Sequence, residues 1–117
     1  MGLHIFANHA HVFPESLKPD GTITRLLQLL DACDIERAVA FAPLAHQCDG
    51  TNIEPNRWVA SELKNQPRLS GFGTIDLRRT DVREQVKHAR ELGLLGLKLH
   101  PNAQKFDILS PRAMELY

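Results

Sequence analysis

The chain has 117 residues, 43% of them hydrophobic, and its fourteen basic side chains balance fourteen acidic ones. This length allows one domain at most, and the zero net charge argues against nucleic acid or an anionic membrane as a partner. Two cysteines without CxxC spacing, no apolar run of ~18 residues and no signal-peptide pattern predict a soluble, cytoplasmic protein.

Apolar runs and helical spacing alternate along the chain. Four runs, whose starts lie about thirty residues apart, are predicted to be buried strands: Leu3–Ala7, Arg37–Ala42, Leu69–Ile75 and Leu94–Leu99. Three segments between them place apolar residues on one helical face: Asp20–Cys33, Ile53–Gln66 and Thr80–Leu92. Pro111–Tyr117 is predicted to begin a fourth helix, within which the chain stops.

This alternation predicts a parallel sheet, for which two architectures remain. A doubly wound sheet usually carries a glycine-rich phosphate turn after its first strand. Here the segment 8–14 after the first run contains no glycine and two histidines. The pattern therefore favours a TIM-type (βα)₈ barrel, which needs roughly 250 residues. We expect residues 1–117 to be its N-terminal half, ending within the fourth helix.

His9 and His11 are the strongest candidates for chemistry. Residues i and i+2 of a strand point to the same face, and barrel active sites lie at the carboxyl ends of the strands. Neutral imidazoles bind zinc and other divalent metals, and a catalytic zinc takes three protein ligands and a water. The sequence predicts a metal site at His9 and His11, with zinc first and manganese or iron as alternatives. The competing interpretation is two surface histidines without a ligand role.

Three further side chains are candidates for a substrate pocket. Lys98 and His100 are two residues apart in the fourth strand and therefore share one face, which is predicted to point towards the barrel interior. The alternative is a solvated Lys98 on an edge strand and a His100 that caps a turn. His46, in the loop after the second strand, lies at the same end of the sheet. It lines the pocket, takes part in metal binding or is incidental.

Four segments resemble the amidohydrolase superfamily, and most closely its amidohydrolase-related branch of metal-dependent hydrolases and nonoxidative decarboxylases. They are Phe6–Pro14, Leu30–Val39, Ser70–Asp76 and Leu94–Pro101. The resemblance covers essentially the whole chain but only the first half of the family's barrel. The family often has an aspartate two residues before the first histidine, where this chain has Ala7.

The resemblance implies that His9 and His11 bind a divalent metal, commonly zinc, and that Lys98 and His100 line the pocket. The remaining ligands and the main acid–base residue would come from strands five, six and eight. The implied function is a metal-dependent hydrolase that attacks a small molecule with a metal-activated water. Alternatives are a nonoxidative decarboxylase of the same family, or a non-catalytic half-barrel that assembles with itself or with a complementing C-terminal half. A truncated piece of a longer protein is the third alternative.

Overall fold

The computed structural model describes residues 2–117, which form a half-barrel of four parallel strands alternating with helices. The strands, adjacent in chain order, are β1 Ile5–His11, β2 Ile35–Phe41, β3 Leu69–Gly73 and β4 Gly96–Leu97. The helices are α1 Ile23–Ala32, α2 Pro55–Leu63, α3 Val82–Glu91, α4 Pro101–Gln104 and α5 Pro111–Met114. The predicted fold class, the first half of a TIM-type barrel, is confirmed.

The observed element bounds differ from the predicted ones by a few residues throughout, and most in β1, in β4 and after Pro111. β1 continues to His11 because it pairs with β2 up to the partners His11 and Phe41, so both histidines lie inside the strand. β4 is only two residues long, and the short helix α4 follows it. The helix begun at Pro111 ends at Met114. A four-residue helix is too short to show a 3.6-residue periodicity, which is why α4 was not predicted.

Side-chain alternation in β2 divides the sheet into an outer and an inner face. Ala38 and Ala40 lie on the outer face with Ala42, in one buried cluster with residues of α1 and α2, among them Leu30 and Val59. Small side chains on this face let the helices pack closely on the sheet. Phe41 lies on the opposite, inner face, where it is 6% exposed. The main core therefore lies between sheet and helices, and the inner face is left for the site.

Asn56, in the first turn of α2, ties that helix to the end of β3. Its side chain is 5% exposed, donates to the carbonyl of Thr74 at 2.8 Å and accepts from the Thr74 N–H at 2.7 Å. Gly73 makes room for this contact, because a Cβ at that position would lie 2.8 Å from Asn56 Oδ1. The amide thus satisfies two backbone groups that the sheet leaves unpaired where β3 ends.

Arg68 braces the opposite, amino end of the sheet. Its guanidinium donates to the backbone carbonyls of Ile35 at 2.7 Å and Glu36 at 3.0 Å, and to the carboxylate of Asp31 at 2.6 Å. These contacts join the residue before β3 to the start of β2 and the end of α1. Interactions at the amino end of a parallel barrel stabilise the fold and leave the carboxyl end for chemistry.

The helices are short. The longest, α1 and α3, have ten residues each, and in residues 2–117 no helix combines the length and the apolar character needed to cross a bilayer. Their apolar residues lie instead on one side and pack inward, as Val82 and Ala89 do in α3. These are the amphipathic helices that cover the outer face of a sheet.

We expect Asn56→Ala to lower the free energy of unfolding by about 2–4 kcal/mol, because it leaves the buried N–H and carbonyl of Thr74 without partners. Urea unfolding followed by circular dichroism measures the change. Asn65→Ala is the matched control, since Asn65 is exposed in the turn after α2. Equal stability losses in the two variants would contradict the assigned role.

Candidate functional site

The inner face of the half-barrel brings His9 and His11 together at the carboxyl end of β1. Their Nε2 atoms lie 3.0 Å apart, within hydrogen-bond distance. Phe41, the β2 partner of His11, contacts both rings edge-on, with its centroid 4.9 Å from that of His9 and 5.3 Å from that of His11. The aromatic ring therefore supports two imidazoles that are themselves exposed at the barrel mouth.

The spacing of the two nitrogens suits ligands of one metal ion. Two imidazole nitrogens ~2.1 Å from a common ion, at bond angles of ~90–110°, lie ~3.0–3.4 Å apart. The observed 3.0 Å falls within that range, so the pair fits two neighbouring positions around a zinc-like ion. Within residues 2–117, no group of three or more His, Cys, Asp or Glu side chains is placed to hold a metal. The described residues thus offer two protein ligands.

The electrostatic setting of His11 favours its neutral form. Desolvation by the surrounding side chains is the main cause that lowers the pKa of His11 below its ordinary value of 6.5, and positive charge on His9, Lys98 and His100 lowers it further. His11 is therefore neutral at pH 7. A neutral imidazole is the form that binds a metal, since the ligand nitrogen must carry a free lone pair.

Lys98 joins this group from the residue after β4. Its backbone N–H donates to the carbonyl of Gly73 at 2.7 Å, which continues the sheet pairing by one residue. Its ammonium nitrogen lies 5.0 Å from the centroid of Phe41, the ring that also supports the two histidines. The structure thus places Lys98 on the inner face, as its alternation with Leu97 and Leu99 predicts.

His100 has a structural role as the N-cap of α4. Its Nδ1 accepts the N–H of Ala103 at 3.2 Å, and its own backbone N–H donates to the side chain of Gln104 at 2.8 Å. The sequence allowed two interpretations of His100, a pocket-lining residue or the cap of a turn, and the second describes this geometry. The ring remains near enough to His11 to influence its pKa, so a role in lining the pocket stays a prediction.

His46 lies apart from the histidine pair. It belongs to a 3₁₀ turn, Ala45–Cys48, and lines a separate cleft of about 400 Å³. The other residues of that cleft are Ala45, Asp76, Leu77, Arg78, Ala103, Gln104 and Lys105. None of the other predicted site residues is among them. Burial raises the pKa of the nearby Cys48 thiol, which therefore stays protonated at neutral pH.

Arg78 clamps the loops that follow β2 and β3. Its guanidinium makes a two-pronged contact with Asp49, at 2.6 and 3.0 Å, and also binds the carboxylate of Asp76 at 2.9 Å. Asp76 in turn accepts the Arg78 N–H at 3.0 Å and so caps its own turn. These hydrogen bonds hold the pKa values of both carboxylates below the ordinary value of 3.8.

Sequence reasoning did not single out Arg78. Asp49 lies 29 residues away, so only the fold brings the two together. The available signal was the adjacent basic pair Arg78–Arg79, three residues after the end of a predicted strand. Arg78 also lines a polar cleft of about 790 Å³ between the loops and α3, next to the smaller one that contains His46.

Comparison with known proteins finds a similarity in fold but none in sequence. No family model matches the chain, and no curated protein matches it in sequence. The fold is similar to the crystal structure of a probable 2-pyrone-4,6-dicarboxylic acid hydrolase from Acinetobacter baumannii with citric acid bound. The two share 18% sequence identity and a TM-score of 0.61 over 97% of this chain, which spans 44% of the other chain. The similarity therefore shows the fold, and this chain corresponds to less than half of that barrel.

We expect Arg78→Gln to raise the pKa of Asp76 towards 3.8, because the hydrogen bond from Arg78 is the main cause of its lowering. Since the folded-state pKa is lowered, this pair stabilises the fold above pH ~4 and the benefit disappears as pH falls through the lowered pKa. Carboxyl-carbon NMR titration measures the pKa. The matched control Arg79→Gln should raise the pKa of Asp81 and leave that of Asp76 unchanged. The same shift of Asp76 in both variants would refute the clamp.

Proposed function

We propose that this chain is the N-terminal half of a metal-dependent hydrolase of the amidohydrolase superfamily, acting on a small-molecule substrate. The observation that carries the proposal is the 3.0 Å nitrogen pair of His9 and His11 at the carboxyl end of β1. In parallel barrels that end of the strands holds the active site. The fold similarity to a probable dicarboxylic acid hydrolase supports the proposal, as do the four sequence segments that resemble the superfamily.

In this proposal His9 and His11 bind the metal through Nε2, and Phe41 holds both rings against the sheet. A divalent metal held by these two residues, most readily zinc, would supply a water whose pKa is lowered towards ~7 and would polarise the scissile carbonyl. The third protein ligand and the general base come from outside residues 2–117. The chain's own contribution is two pre-positioned nitrogens, so little conformational entropy is lost when the metal binds.

Lys98 and His100 complete the wall of the proposed pocket. Lys98 reaches it from the end of β4, while the capping contact of His100 with Ala103 fixes the ring at its rim. His46 lines a cleft with Gln104, which follows His100 in α4, and its part in substrate binding stays a prediction.

We expect the double variant His9→Ala/His11→Ala to lose at least ~10-fold in affinity for zinc or cobalt, because both ligand nitrogens are removed. Equilibrium dialysis followed by elemental mass spectrometry gives the metal bound per chain. The matched control is His4→Ala/His88→Ala, which removes two histidines away from the site, where they lie near Glu36 and Glu54. Undiminished metal binding by the His9/His11 variant would overturn the proposed function.

A second candidate role, assembly with another polypeptide, is favoured by the two edges of the sheet. Within residues 2–117, β1 and β4 each pair with a single strand. Apolar side chains are exposed at both edges: Phe6 is 56% exposed and Leu95 73%. Unpaired strand edges are places where further strands add. The strands that complete the barrel would then come from further residues of a longer protein, a second copy or a complementing half.

We expect the 117-residue chain to self-associate in sedimentation experiments and Phe6→Lys/Leu95→Lys to reduce that association, because a charge at a strand edge opposes strand addition. Leu29→Lys is the matched control, since Leu29 is equally exposed at 56% but lies on α1. A chain that stays monomeric at every concentration, or an equal effect of the two variants, would exclude self-assembly through these edges.

A further inference from the structure

The larger of the two polar clefts lies apart from the histidine pair. It has a volume of about 790 Å³ and lies between α3 and the loops that follow β2 and β3. Every residue that lines it falls between positions 45 and 91, and none of His9, His11, Lys98 and His100 is among them. Pockets for small molecules usually measure about 300–1,000 Å³. This cleft is therefore large enough for a ligand and separate from the proposed metal site.

Acidic side chains dominate the wall of this cleft. Its six carboxylates outnumber its three permanent cations, Arg78, Arg79 and Lys87. The carboxylates belong to Asp49, Glu54, Asp76, Asp81, Glu84 and Glu91. The three aspartates are bound to the two arginines, whereas Glu84 and Glu91 form no ion pair within residues 2–117. A cleft lined mainly by one sign of charge attracts ligands of the opposite sign.

Thr74, directly after β3, adds a buried hydroxyl without a partner to the same wall. The residue lines the cleft and is 3% exposed, and its Oγ1 forms no hydrogen bond. No other buried side-chain nitrogen or oxygen in residues 2–117 lacks a partner. Asn56 already binds both the N–H and the carbonyl of Thr74, so the cleft is where a partner for the hydroxyl can enter. Because buried polar groups are almost always hydrogen-bonded, this atom indicates a ligand.

Asn56 also holds the carboxylate of Glu54 near Thr74. Its backbone N–H donates to Oε1 of Glu54 at 3.1 Å, while its side chain binds the backbone of Thr74. The second oxygen, Oε2, accepts the Arg57 N–H at 2.8 Å and lies 3.8 Å from Nε2 of His88. The guanidinium of Arg57 contacts His88 at 3.5 Å and forms no ion pair with Glu54. Carboxylate oxygens accept more than one hydrogen bond, so Glu54 can still receive the N–H groups of a ligand.

We propose that this cleft binds a short aliphatic diamine, with one ammonium group between the Glu54 carboxylate and the Thr74 hydroxyl. An ammonium has three donors, and its hydrogen bond to a carboxylate is stronger than a neutral one. His88, which lies beside Glu54, comes four residues after Glu84 and three before Glu91 on α3. One helical turn, ~5.4 Å along the axis, thus separates the first ammonium from either acid. The second ammonium of a short diamine spans that distance.

The test uses the full 117-residue chain and 1,4-diaminobutane as the probe, with binding followed by NMR shifts of the backbone N–H groups of Thr74 and His88. We expect binding at about millimolar concentration. Thr74→Val, which removes the hydroxyl and keeps the branched shape, should weaken it about fivefold, and Glu54→Gln about tenfold, because each loses a hydrogen bond to a charged group. The matched controls are Thr24→Val and Glu62→Gln, since both residues are exposed, on α1 and α2, and neither lines the cleft.

A neutral probe of the same length, 1,4-butanediol, should leave the NMR shifts unchanged. The inference is overturned if the diamine causes no shifts, if butanediol binds equally well, or if either cleft variant binds as tightly as its control. Should Thr74→Val fail to fold, as judged by circular dichroism, Glu84→Gln/Glu91→Gln on the exposed surface of α3 decides instead. Undiminished diamine binding by that variant refutes the site.

This inference stands or fails independently of the proposed function, because the cleft contains neither His9 nor His11. Loss of diamine binding in the cleft variants, with metal retained by His9→Ala/His11→Ala, would support the amine site and refute the metal centre. The reverse pattern would support the metal centre and refute the amine site.

Discussion

The pairing of β1 with β2 is the constraint on which the candidate site depends. Parallel strands align their carboxyl ends, and the register that sets His11 beside Phe41 places an aromatic ring against both histidines. A shift of one residue would turn these side chains to the opposite face of the sheet. The same register puts Ala38 and Ala40 beneath the helices, so the core and the site are fixed by one set of backbone hydrogen bonds.

The two ends of the sheet are held by different kinds of interaction. At the amino end, Arg68 binds backbone carbonyls and one carboxylate, which closes that end of the fold. At the carboxyl end, Asn56 anchors α2 to β3, and Arg78 joins the two loops that follow β2 and β3. Loops that carry binding residues need such support, because a site held loosely loses its geometry. The histidine pair itself takes no part in these contacts and stays exposed.

Charge is separated within a chain whose net charge is zero. Asp49, Asp76 and Asp81 are bound to Arg78 and Arg79 in the loops after β2 and β3, while the inner face carries the imidazoles and Lys98. This separation matters for the proposed function, since a neutral His11 leaves its nitrogen available to a metal.

The sequence by itself determined the alternation of strands and helices, the half-barrel and the shared face of His9 and His11. These follow from local rules: hydrophobic periodicity, proline positions and the two-residue repeat of a strand. Only the tertiary structure decided the end of β1, the contact of Lys98 with Phe41, the separation of His46 and the Arg78 clamp. These depend on contacts between residues distant in the chain, whose register no local pattern specifies.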